Sequence, residues 1–167
     1  MKKTSSDNIR VLKTETCNSL SGKSKITYHI GCTPDFKIYF RISTNTGGGF
    51  FSQEWVSWND ILDALKKCPS GTPISSIFLY KLYTGKSVNT PSFLLAALKH
   101  LKLVQPIKDK KRCHELLDSK PFMDDIKKLM ATKVAVNAGK KTTTKKAVSK
   151  KVSKKTSPSK KKTAPKK

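Results

Sequence analysis

From Lys25 onward, apolar and polar residues alternate with a period of two: Ile26, Tyr28 and Ile30 are separated by Thr27 and His29. Gly31, Thr33, Pro34 and Asp35 interrupt as turn formers. A second alternation then sets Phe36, Ile38, Phe40 and Ile42 against Lys37, Tyr39 and Arg41. Successive strand residues point to opposite faces, so each run predicts a strand with one apolar face, and the turn between them predicts a hairpin. Asn45 to Gly49 breaks the chain with glycines. Phe50 to Val56, carrying Phe50, Phe51 and Trp55, then predicts a third strand of a small antiparallel sheet. Residues 1–24 are mostly polar, with a short mixed stretch at Ile9, Val11 and Leu12, and read as a flexible amino-terminal arm.

The period changes at Ser57. Ser57 and Asp60 have capping-box spacing, with Asp in place of the usual Glu, and Ile61, Leu62 and Leu65 follow at helical spacing as far as Cys68, before Pro69. Thr72-Pro73 repeats the start signal for a second helix, whose stripe of Ile74, Ile77, Phe78, Leu79 and Leu82 ends at Gly85. Asn89-Thr90-Pro91 opens a third helix, with Leu94, Leu95, Leu98 and Leu101 on its apolar face and Ser92, Lys99 and Lys102 on the other. A short strand at Leu103-Val104, a charged loop from Gln105 to Arg112, a return at Cys113 to Leu117 and a helix from Pro121 to Met130 complete the body. The expected fold class is α+β: a small antiparallel sheet, then a three-helix unit, then a basic tail.

Charge changes the picture. The last 37 residues, 131–167, hold fourteen lysines and no Asp, Glu or aromatic residue. Such a segment cannot offset the roughly 1–2 kcal/mol of backbone entropy that each ordered residue costs, so it is expected to stay disordered until a polyanion neutralises it. The formal net charge is +24; without those fourteen lysines, residues 1–130 still carry +10. The expected organisation is an arm over 1–24, one globular domain over 25–130 and a disordered tail over 131–167. No apolar run approaches the roughly 20 residues needed to span a bilayer, and the first eight residues lack a secretory apolar core, which points to the cytosol or nucleus rather than a membrane. Cys17, Cys32, Cys68 and Cys113 form no C-x-x-C pair and read as reduced structural thiols.

In the tail, Lys140, Lys141, Lys145, Lys146, Lys150, Lys151, Lys154, Lys155, Lys160, Lys161, Lys162, Lys166 and Lys167 come mostly in pairs four to six residues apart. Five residues turn an α-helix by about 500°, so the pairs would spiral rather than line one face. They suit an extended chain making sequence-blind contacts with phosphate. The Lys/Ala/Thr/Ser/Pro/Val composition, with Ser157-Pro158-Ser159-Lys160 as an S-P-x-K element, resembles the carboxyl-terminal domain of linker histones and the lysine-rich bacterial proteins similar to them. That resemblance implies DNA binding and phosphorylation at the S-P-x-K element. It stops at the tail, because a β-rich segment precedes the helices of the body.

Within the body, three helices followed by strand, basic loop and strand resemble a winged-helix domain over about residues 57–118, with Phe93 to Val104 resembling the recognition helix running into its wing. The resemblance implies Ser92, Lys99 and Lys102 in the major groove and Lys108, Lys110, Lys111 and Arg112 on phosphate. The competing reading is a helical layer packed on a sheet, with scattered solvated lysines. Phe50, Phe51, Trp55 and Trp58, near Lys37 and Arg41, are either core or a platform for unpaired bases, and Tyr39 is the expected exposed member.

Other chemistry is weakly encoded. Gly22-Lys23-Ser24 and Gly85-Lys86-Ser87 lack the upstream glycine of a phosphate loop, since Cys17 and Tyr80 stand there. His29 and Cys32 with Cys113 and His114 would make a zinc site only if the two segments met. The Asp60/Asp63 and Asp124/Asp125 pairs suit early helical turns better than metal-dependent hydrolysis. The expected protein therefore has no cofactor, metal or enzymatic activity and binds duplex DNA in a nucleoid or chromatin. The alternatives are an RNA-binding module, a protein-interaction adaptor tethered to DNA, or a small metal-dependent nuclease.

Overall fold

The computed structural model describes residues 8–69, 72–85, 87–108, 110 and 112–136, with side chains as far as Thr132. The expected disorder of residues 137–167 lies outside these. Four antiparallel strands form a sheet in sequential order: β1 (Arg10–Asn18), β2 (Lys25–Cys32), β3 (Ile38–Asn45) and the short β4 (Val56–Ser57). Helices α1 (Trp58–Lys66), α2 (Thr90–His100) and α3 (Lys120–Val136), with a 3₁₀ helix at Ser76–Leu82, supply the helical layer. A separate hairpin, β5 (Val104–Pro106) and β6 (His114–Leu116), follows α2. The α+β class holds.

The alternation read in the sequence sets the layers. Ile26, Tyr28 and Ile30 of β2 and Ile38, Phe40 and Ile42 of β3 are buried. They share one core with Trp58, Ile61 and Leu65 of α1, with Leu94, Leu95 and Leu98 of α2, and with Phe122, Ile126 and Met130 of α3. Phe40, Trp58 and Phe122 meet with ring centroids 5.5–5.9 Å apart, joining sheet, α1 and α3. Ser57 caps α1 as its spacing predicts: its Oγ accepts from the Asp60 amide at 3.1 Å and donates to Asp60 Oδ2 at 2.6 Å.

Several expectations are corrected. Residues 10–18 are not a flexible arm but the edge strand β1, paired with β2 from Arg10↔Cys32 to Asn18↔Lys25. A bulge between Val11 and Lys13 accompanies the burial of Leu12, and Cys17 joins the core. Phe36 is not in a strand; it sits in the turn before β3 at φ 59° and is exposed. Residues 50–55 form no strand but a strap held by side chains. Ser52 N–H donates to Thr90 Oγ1 at 2.8 Å, and the Phe50 carbonyl accepts from Ser87 Oγ and Asn89 Nδ2. The final helix runs past Met130 to Val136, six residues into the expected tail.

The second helix is the short 3₁₀ turn of Ser76–Leu82, with Leu79 buried and Ile77 exposed. α2 ends in a Schellman arrangement: Leu103 N–H donates to Leu98 O at 3.0 Å and Lys102 N–H to Lys99 O at 3.1 Å. Lys102 takes the left-handed conformation, φ 57°, where glycine is usual.

Candidate nucleic-acid interface

α2 cannot present a recognition face. Thr90, Pro91, Leu94, Leu95, Ala96, Ala97 and Leu98 are all buried, so the helix is enclosed around most of its circumference. Ser92 is half-buried, with its hydroxyl 3.2 Å from that of Ser76. Lys99 lies at the exposed carboxyl-terminal end of α2 and Lys102 in the turn beyond it. The expected groove-reading set is thus split: Lys99 and Lys102 stand at one end of β5, while Lys108, Lys110 and Arg112 are exposed in the turn at its other end. That turn is closed by Ile107 N–H to Cys113 O and Cys113 N–H to Lys110 O, both 2.9 Å. Lys111 and the tail lysines from Lys140 to Lys167 lie outside the described residues.

A second surface is built by the sheet. Register sets Thr14, His29 and Arg41 side by side across β1, β2 and β3, and Thr16, Thr27 and Thr44 in the next row, all on the face away from the helices. Thr14 Oγ1 is 3.4 Å from His29 Nδ1, and Thr16 Oγ1 is 3.2 Å from Thr27 Oγ1. Trp55 precedes buried Val56 and so falls on this outer face. Its indole meets the His29 ring edge-on at 6.4 Å, and the Arg41 guanidinium carbon lies 5.8 Å from its ring centroid. Arg41 Nη2 donates to Gln53 Oε1 at 3.0 Å, and Gln53 Nε2 donates to the Ser43 carbonyl. Gly31 makes the room: a Cβ there would stand 3.0 Å from Trp55 Cη2 and 2.6 Å from Ile9 Cγ2.

The strap fixes the indole. Glu54, next to Trp55, accepts from Thr84 N–H at 3.0 Å, Thr84 Oγ1 at 2.7 Å and Gly85 N–H at 3.0 Å. Burial alone would raise the Glu54 pKa, but these bonds and one from Ser52 outweigh it and hold the carboxyl below its ordinary range. Burial and then Arg41 lower the His29 pKa, so the imidazole beside Trp55 is biased toward its neutral form.

The aromatic residues that the sequence grouped together part company. Trp58 is core and Phe51 packs edge-on against Phe93, while Phe50 is 72% exposed. Tyr39, expected to be exposed, is buried. Of that set, Trp55 with Arg41 is the pair on the sheet face. Sequence reasoning missed His29 as its neighbour; the signal was its place opposite Arg41 in the hairpin alternation.

Among the described residues, the side chains weighed for a zinc site or for hydrolysis lie apart or have partners of their own. Among the described residues no three His, Cys, Asp or Glu side chains cluster to hold a metal ion. His114 is buried on β6, its pKa lowered by burial and by Lys99, and its Nδ1 has no partner among the described residues. His29 is on the outer face of the main sheet, away from buried His114, so the condition for a zinc site, that the two segments meet, is not fulfilled by this pair. Asp60 serves the α1 cap and Asp125 pairs with Lys128 at 3.7 Å. Among the described residues no helix is long and apolar enough to cross a membrane. Comparison with protein-family models, with curated proteins and with solved structures yields no match.

Proposed function

We propose that this chain is a non-enzymatic DNA-binding protein that holds duplex DNA largely without regard to sequence, as a nucleoid or chromatin component of the cytosol or nucleus. The observation that carries the reading is the composition of residues 131–167, fourteen lysines against no acid, on a chain of net charge +24. Each lysine brought to a phosphate releases condensed counterions, so affinity comes from the salt around the DNA rather than from base edges. The body adds to the same field with exposed Lys108, Lys110 and Arg112 at the β5–β6 turn and Lys99 and Lys102 near the end of α2.

The winged-helix form of this reading, with α2 in the major groove, is set aside because α2 is enclosed by the core. Placement therefore falls to surfaces other than a recognition helix. Phosphate contacts position a protein but carry no sequence information directly. The test is affinity for several duplexes of unrelated sequence at one salt concentration. The reading predicts values within about tenfold of one another; a preferred sequence bound about a thousandfold more tightly, as specific readers bind theirs, would overturn it.

A further inference from the structure

We infer that the outer face of the main sheet is a platform for unpaired nucleotides, with Trp55 stacking on a base and Arg41 reaching the adjoining phosphate. The inference rests on the nucleic-acid reading above and names a second class of ligand for it, single strands.

Antiparallel sheets commonly leave one polar face in water, and threonines alone would satisfy that. An indole is not needed there. It is nevertheless held in place: the strap is tied to Thr90, Ser87 and Asn89 at one end and through Glu54 to Thr84 and Gly85 at the other. Gly31 leaves the space beneath it. A ring ordered before binding loses little further freedom when a base stacks on it.

The charge of the face fits a polynucleotide. The outer positions Thr14, Thr16, Thr27, His29, Thr44 and Arg41 include no acid. Glu15 on β1 is turned to the other face, where it meets the Tyr28 hydroxyl at 3.4 Å and His100 Nδ1 at 3.3 Å. Glu54 is occupied by Thr84 and Gly85. Arg41 has donors beyond the one it gives Gln53: a guanidinium carries five N–H groups, and the bond to Gln53 uses one of those on Nη2. In a duplex the bases stack on one another, so a ring that needs an open base face selects single strands.

The test uses the full chain and fluorescent oligonucleotides at one salt concentration: a single-stranded thymidine oligomer and a duplex of matched length. The tail contributes to both, so the variant-to-wild-type ratio on each ligand isolates the sheet face. Trp55→Ala is expected to weaken single-strand binding about tenfold, the effect of one lost stack, and duplex binding less than twofold, while Trp55→Phe retains most of the single-strand affinity. Trp58 is buried, so quenching of tryptophan emission by the single strand is expected to come from Trp55. An unchanged single-strand affinity, or equal losses on both ligands, overturns the inference. Should Trp55→Ala fail to fold, Arg41→Gln is read by the same two ratios with the same outcomes. Wild-type protein that binds duplex but not single strand overturns this inference alone; protein that binds neither overturns the nucleic-acid reading itself.

Discussion

Single residues here are legible when a local rule governs them. Ser57 caps α1 as its spacing to Asp60 predicts, because an N-cap depends only on neighbours along the chain. Glu54 was silent, since its partners Thr84 and Gly85 are thirty residues away. It nevertheless fixes the strap that carries Trp55. Its folded pKa lies below the ordinary value of 4.5, so the carboxylate is the form the fold favours. The resulting stability is complete above that ordinary value and is lost as pH falls through the lower folded value. Thermal unfolding of wild type and Glu54→Gln between neutral pH and pH about 3 should therefore show a gap in Tm that closes on acidification. A gap independent of pH would mean that the carboxylate does not hold the strap. His29 and His114 push in the same direction over a higher window: with folded pKa values below 6.5, they disfavour the fold once pH drops below that value.

Elements were legible in proportion to how regularly they hide apolar residues. β2, β3 and α1 follow their periodicity. β1 does not announce itself, because its inward positions include Lys13 and Glu15. Glu15 is accommodated by Lys13, by the Tyr28 hydroxyl and by His100, which no reading of periodicity anticipates. The strap reads as a strand from its aromatics, yet the Ser52 amide bonds a threonine hydroxyl rather than a neighbouring strand. α2 reads as amphipathic from its leucine stripe, yet Ala96, Ala97 and Thr90, outside that stripe, are buried as well. The last helix was recognised but ended too early. Its grip on the core is Phe122, stacked on Phe40 and against Trp58. Phe122→Ala should cost about 3–5 kcal/mol in urea unfolding, as large core truncations do. A loss below about 1 kcal/mol would mean that α3 is not part of the cooperative unit.

The whole molecule divides its charge between a basic body and a far more basic carboxyl-terminal segment. The body's fold was legible as a class but not as a surface. The outer-face cluster of Trp55, Arg41 and His29 depends on a strap and on register across three strands, whereas the tail's chemistry is plain in its composition. Because α3 continues to Val136, the informative truncation keeps residues 1–136 and leaves the final helix whole. The most direct measurement is duplex affinity against salt concentration for the full chain and for residues 1–136 side by side. With about eight tail lysines on phosphate, the slope of log affinity against log salt for the full chain should be steeper by about 7, and the truncated chain should bind weakly with a shallow slope. Equal affinities and equal slopes for the two chains would contradict the account.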